Sequence, residues 1–79
     1  MAAKSDPQTV EFETRAKNLL KAELKRKGVT YAQLAEKLAA MDIHETERNL
    51  NNKISRGGFS AAFLLQCLTA IGVADLRLS

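Results

Sequence analysis

The sequence predicts an all-α domain of four helices followed by a short extended C-terminal segment. Helix start and stop signals divide the chain into four stretches, and apolar residues recur within each stretch at the 3.6-residue period of a helix. Only the end of the chain alternates apolar and polar side chains. The 79 residues leave room for one small core. We therefore expect a single domain over residues 9–79 after a flexible N-terminus at residues 1–8.

The first helix is predicted to begin between Asp6 and Thr9 and to end at Lys27, because Gly28 follows as a helix stop. Its apolar side is expected to comprise Phe12, Ala16, Leu19, Leu20 and Leu24.

The second helix is predicted to begin after Thr30, since Thr30 and Gln33 have the spacing of a capping box. Its apolar stripe is expected to comprise Leu34, Ala35, Leu38 and Met41, with a break at residues 42–44.

The third helix is predicted to follow from about Glu45 or Thr46, with Leu50 and Ile54 as its inward residues, and to end at Gly57 and Gly58.

The fourth helix is predicted to begin at the N-cap Ser60, with Phe59 packed against Leu64, and to end before Gly72. Its buried side is expected to include Phe63, Cys67 and Leu68, with Cys67 as an inert thiol. Residues 73–79 form either a short strand or an extended segment that returns over the core.

Helices two and three have the dimensions of a helix-turn-helix, since each is about three turns long and a short turn joins them. With Leu50 inward and a step of about 100° per residue, the opposite face of helix three is rich in Asn and Arg. This face comprises Glu45, Arg48, Asn52, Ser55 and Arg56, flanked by Asn49 and Asn51.

Asparagine is a poor helix former, so three in four positions reduce the stability of helix three and call for a compensating role. Asn pairs with adenine and Arg with guanine in the major groove. Residues 48–58 also carry three basic side chains and no acid. The alternative is that these residues are polar surface groups suited to helix ends.

The predicted DNA contacts fall into two classes. Bases are expected to meet Arg48, Asn49, Asn52 and Ser55, and phosphates to meet Lys37, Lys53, Arg56 and the backbone at Gly57. The acids Glu45 and Glu47 suit the start of a helix but would repel phosphates.

Residues 29–73 resemble the lambda repressor-like helix-turn-helix domains of the xenobiotic-response-element regulator family. The resemblance rests on Val29-Thr30-x-x-x-Leu34-Ala35-x-x-Leu38, on Ile54-Ser55-Arg56-Gly57 and on Ala70-Ile71-Gly72-Val73. The stretches at residues 20–32 and 51–63 resemble more closely a family of small bacterial domains known chiefly as a domain of unknown function.

The resemblance and the outward face together predict a sequence-specific regulator of transcription that binds double-stranded DNA through a recognition helix at about residues 45–56. Its small net charge of +3 neutralises few phosphates, so useful affinity calls for a homodimer or for fusion to another domain. The alternative is a protein-interaction or dimerisation module in which Leu76 and Leu78 meet a partner.

One cysteine and one histidine, His44, leave too few groups for a catalytic triad or a metal site. We therefore expect no enzyme activity, no cofactor and no metal. The sequence shows no signal peptide and no apolar stretch of membrane-spanning length, which predicts a cytoplasmic protein without a membrane partner.

Overall fold

The computed structural model of the protein describes residues 6–78, which form four helices and contain no strand. The helices are α1 (Pro7–Lys27), α2 (Tyr31–Ala39), α3 (Glu47–Arg56) and α4 (Ala61–Ala70). The predicted all-α class is confirmed. Most of the N-terminus predicted to be flexible, residues 1–5, lies outside the described residues, and residues 7 and 8 belong to α1.

Each helix begins at a side-chain cap, because the first backbone N–H groups of a helix have no partner within it. The caps are Asp6, Thr30, Thr46 and Ser60. At α2 the predicted capping box is complete: the Gln33 N–H donates to Thr30 Oγ1 at 3.1 Å, and the Thr30 N–H donates to Gln33 Oε1 at 2.9 Å. At α4 the ring of Phe59 lies 5.4 Å from that of Phe63.

Helices α1, α2 and α4 end in one common way. A residue with positive φ follows the helix, and the next residue donates its N–H to a carbonyl in the last turn. The positive-φ residues are Gly28, Asp42 and Gly72, and the donors are Val29, Ile43 and Val73. All three donors pack apolar side chains against the core, so each helix end also anchors the following segment.

Helix α2 is shorter than predicted and ends at Ala39 rather than near Met41, which is exposed. Asp42, with φ 64°, takes the left-handed conformation that glycine has at the ends of α1 and α4. Aspartate tolerates this conformation better than most residues. The connection to α3 covers residues 40–46, longer than the turn of about 3–4 residues of a typical helix-turn-helix.

The core lies where α1 and α2 each pack against both α3 and α4. All four helices contribute apolar side chains to it: Leu20, Leu24, Leu34, Leu38, Leu50, Ile54, Phe63, Cys67, Leu68 and Ile71. Burial is confirmed for Leu34 and Leu38 of the stripe predicted in α2 and for the inward residues predicted in α3 and α4, whereas Met41 is exposed.

The prediction that Phe12 joins the apolar side of α1 is wrong, because its side chain is 59 % exposed. Helix α1 has 21 residues and its partners α3 and α4 have 10 each. At 1.5 Å per residue, α1 is about 31 Å long against roughly 15 Å for each partner. Its buried residues, Leu20 and Leu24, accordingly lie in its second half.

Residues 73–78 form neither helix nor strand, which leaves the extended segment of the two predicted alternatives. Val73 and Leu76 pack against the core. An Arg15 guanidinium N–H donates to the carbonyl of Leu78 at 3.3 Å, which holds the segment beside α1.

Candidate nucleic-acid interface

Helix α3 presents a polar face to solvent because its apolar residues are fixed on the opposite side. Leu50 and Ile54, one turn apart, are completely buried. Arg48, Asn49 and Asn52 are exposed, and we call these three residues the outer row. The rotation of α3 predicted from the sequence is therefore confirmed.

The side chains of the outer row make no polar contacts within the described part of the chain. Among residues 6–78, no hydrogen bond or ion pair involves the side chain of Arg48, Asn49 or Asn52. Ser55, the fourth predicted base contact, is also exposed, but its hydroxyl donates to Asn51 Oδ1 at 3.1 Å. That hydroxyl still has acceptor capacity.

Lys53, a predicted phosphate contact, is held by two neighbours in the fold. Its Nζ lies 2.6 Å from Glu45 Oε2 and 4.9 Å from the centroid of the Phe63 ring. The Lys53 side chain is 42 % exposed and that of Glu45 only 14 %. The ammonium is thus paired with a carboxylate and faces an aromatic ring, an arrangement that satisfies its charge internally.

The prediction that Glu45 lies on the outward face of α3 is wrong. Thr46 is the N-cap and has extended backbone, so Glu45 belongs to the connection before the helix. The helical step of about 100° per residue does not apply there. The side chain of Glu45 turns inward to Lys53, whereas Glu47, in the first turn of α3, is exposed.

The end of α3 packs against α1. Gly57 has φ 71° and ψ −164°, its N–H donates to Ile54 O at 3.2 Å, and a Cβ there would lie 3.3 Å from Glu13 O. Lys17 Nζ lies 3.4 Å from Ser55 O. The backbone N–H of Gly57, predicted to meet a phosphate, is therefore used within the fold.

The predicted phosphate contacts lie at two separate places. Lys53, Arg56 and Gly57 line a cleft of about 560 Å³ together with Glu13 and the start of α4. Lys37 instead lines a smaller cleft of about 270 Å³ beside the end of α1. The structure thus brings three of the four together and leaves Lys37 apart.

Two lysines that were not among the predicted contacts lie close to the start of α3. Lys21 and Lys25 line a cleft of about 520 Å³ with Thr30, Tyr31 and Glu47. Burial raises the pKa of Tyr31, whose ring packs on the core. The spacing of Lys21 and Lys25 places them on one face of α1. Their closeness to α3 depends on tertiary packing and could not be found from that spacing alone.

The remaining chemically reactive side chains carry no site. Cys67 is buried as predicted, and burial, with a smaller effect of Glu45 opposed by Lys53, raises the pKa of its thiol to about 12. Such a thiol is protonated and unreactive near neutral pH. His44 Nε2 lies 3.2 Å from Asp42 Oδ1 in the exposed connection. In residues 6–78, no three His, Cys, Asp or Glu residues group as metal ligands would.

No helix within residues 6–78 combines the length and the apolar character needed to cross a bilayer.

A family model described as a domain of unknown function (DUF6471) matches residues 12–76, which is most of the chain. The chain belongs to this family. The predicted resemblance to a small domain of unknown function is therefore confirmed. No curated protein and no solved structure matches the sequence. The DUF6471 match begins at Phe12 in α1 and ends at Leu76 in the C-terminal segment, so it includes the whole of α2, α3 and α4.

Proposed function

We propose that this DUF6471 domain is a sequence-specific DNA-binding protein of the lambda repressor-like helix-turn-helix type, with α3 as its recognition helix in the major groove. The observation that carries the proposal is the state of the outer row. Arg48, Asn49 and Asn52 are exposed and have no partner among the described residues, while Leu50 and Ile54 on the opposite side are completely buried.

The chemistry of the outer row suits base edges. An Asn amide can donate to and accept from adenine, and an Arg guanidinium can donate two hydrogen bonds to guanine. Arg48 and Asn52 are one turn apart, so both would face one stretch of the groove. Ser55 follows Asn52 on the same side and would offer its hydroxyl to a base or to the sugar-phosphate backbone.

The phosphate contacts proposed here differ from those predicted from the sequence. Arg56 and Lys37 remain, and Lys21 and Lys25 join them because they border the start of α3. Lys53 and Gly57 are left out, since Lys53 is paired with Glu45 and the Gly57 N–H is bonded to Ile54. Lys21 and Lys25 border the start of α3, Arg56 is the last residue of α3, and Lys37 lies apart from them beside the end of α1.

Four basic side chains per chain neutralise few phosphates, which supports binding as a homodimer. Two copies would place two α3 helices in successive major grooves about 34–36 Å apart. Such a protein would act in the cytoplasm as a transcription regulator.

The test is a heteronuclear NMR titration of the protein with mixed-sequence double-stranded DNA at low salt. We expect shifts clustered on residues 48–56, with smaller shifts at Lys21 and Lys25, and we expect both to be reversed by added salt. A protein that shows no shifts, or shifts only on the far side of α1, would not bind DNA in the proposed way.

A protein-interaction module is the second candidate, and one observation favours it. Phe12 and Leu78 are 59 % and 67 % exposed. Arg15 joins them, because its guanidinium lies 4.9 Å from the centroid of the Phe12 ring and donates to the Leu78 carbonyl. Self-association that Phe12→Ser abolishes, in a protein that gives no shifts with DNA, would favour this function instead.

A further inference from the structure

We propose that Glu45 is a specificity-determining residue of the DNA interface: it retains the charge of Lys53 within the fold and so lowers attraction to DNA of any sequence. The inference rests on the proposed function and assigns a role to a residue that the outer row does not include.

The geometry holds Lys53 from two sides. Glu45 Oε2 lies 2.6 Å from Nζ, and the Phe63 ring centroid lies 4.9 Å from the same atom. The two contacts come from different elements, since Glu45 precedes α3 and Phe63 belongs to α4. Lys53 adjoins Asn52 in the sequence, but its ammonium is directed to this pair of neighbours instead of extending beside the outer row.

A phosphate that draws Lys53 away from Glu45 leaves the Glu45 carboxylate without its cation. The Glu45 side chain is only 14 % exposed, so water replaces the lost partner only in part. Phosphate contacts are the same for every DNA sequence, whereas base contacts are not. An acid that removes one phosphate contact therefore weakens binding to all DNA and leaves base recognition intact.

The test compares Glu45→Gln with Asp75→Asn, a matched control with the same change in net charge. Asp75 is exposed and forms no hydrogen bond or ion pair within residues 6–78. If Glu45→Gln frees one phosphate contact, the salt slope of log K should steepen by about 0.9, which gives about 3.5-fold more loss of affinity for mixed-sequence DNA between roughly 50 and 200 mM salt. Asp75→Asn should leave the slope at its wild-type value.

The added slope should depend on Lys53. In the double variant Glu45→Gln with Lys53→Met, the slope should return to the wild-type value, and discrimination between preferred and mixed-sequence DNA should recover. Equal slopes for Glu45→Gln and Asp75→Asn, or a steep slope that persists without Lys53, would overturn the inference.

A measurement on the wild-type protein covers the case in which Glu45→Gln does not fold. The Lys53 ammonium resonance should keep its position when DNA is added, while those of Lys21 and Lys25 move. Movement of Lys53 equal to that of the other two lysines would count against the inference.

Inorganic polyphosphate separates this inference from the proposed function, because it presents phosphates without bases. A wild-type protein that gives no shifts on α3 with DNA would refute the proposed function alone. Glu45→Gln would then still have to bind polyphosphate with a steeper salt dependence than Asp75→Asn. If DNA binds as proposed but the two variants bind polyphosphate alike, the role of Glu45 fails while the proposed function stands.

Discussion

Lys53 and Asn52 are neighbours on α3, both polar and both in contact with solvent, yet the fold treats them differently. Lys53 is paired with Glu45 and lies over Phe63, whereas the side chain of Asn52 contacts no polar partner among the described residues. Exposure alone therefore does not identify a group available for binding. Lys53, Leu50 and Ile54 make contacts within the fold, and we call their side of α3 the inner side. The opposite side is the outer row.

The largest effect on stability should come from a substitution at Leu50, on the inner side of α3. Leu50 is completely buried, so Leu50→Ala removes apolar contacts and leaves a cavity, which should lower the free energy of unfolding by roughly 2–5 kcal/mol. Chemical denaturation measures it, with Arg48→Ala as the outer-row control. A loss below about 1 kcal/mol would place α3 in a different rotation.

A substitution at Gly57, the C-cap of α3, should have the second largest effect on the free energy of unfolding. Its φ of 71° and ψ of −164° lie in a region essentially restricted to glycine, and a Cβ would lie 3.3 Å from Glu13 O. Gly57→Ala should therefore cost about 1–3 kcal/mol from backbone strain alone.

Gly28→Ala is the matched control for Gly57. Gly28 has an ordinary left-handed conformation with φ 69°, and a Cβ at this position would meet no atom within 4 Å. Gly28→Ala should therefore be the milder variant in thermal unfolding. Equal losses in the two variants would show that neither the ψ of −164° nor the contact with Glu13 O adds strain beyond that of the positive φ that the two glycines share.

On the outer row, Asn52→Ala should separate binding from folding. The side chain has no partner to lose, and alanine is the better helix former, so the Tm should stay constant or rise slightly. Affinity for the preferred DNA should fall by about 1–3 kcal/mol, with relaxed preference at one base position. A fluorescence titration against a panel of single-base variants measures both, and unchanged affinity would remove Asn52 from the interface.

The smallest effect concerns the pH dependence of stability contributed by Cys67, a buried residue of α4. Burial raises the pKa of its thiol from 9.0 to about 12. A raised pKa gives stability that is fully present below the unfolded value near 9 and is lost as pH rises from there toward 12. The Tm of the wild-type protein should therefore fall more than that of Cys67→Ala between about pH 8 and pH 10.5.

Tyr31, whose pKa is also raised, is present in both proteins, so its contribution cancels in the Cys67 comparison. Parallel falls in Tm would show that the Cys67 thiol has the same pKa in the folded and unfolded proteins, contrary to the effect of burial.

The features predicted correctly from the sequence depend on interactions within a few residues. The capping box of Thr30 and Gln33 closes over three positions, and the left-handed end at Gly28 needs only a residue without a Cβ. The burial of Leu50 and Ile54 follows from the helical period. The exposure of the outer row follows from that burial, which is why this part of the candidate site could be predicted.

The features that the sequence did not predict depend on contacts between residues that are far apart in the chain. The inward turn of Glu45 requires knowing that α3 begins at Glu47 and that Phe63 lies nearby. The exposure of Phe12 requires knowing how far α1 extends past its partners. The position of Lys21 near α3 likewise arises only when the helices pack.

The packing order of the helices has a consequence for cooperativity. Helices α1 and α2 follow one another but have no Cα atoms within 8 Å, and the same holds for α3 and α4. A fragment that ends in the connection at residues 40–46 would therefore lack α3 and α4, against which α1 and α2 pack, and the fragment that begins there would lack α1 and α2 in the same way. Neither half should fold separately, so the domain should unfold in a single step in which α1 melts together with α3.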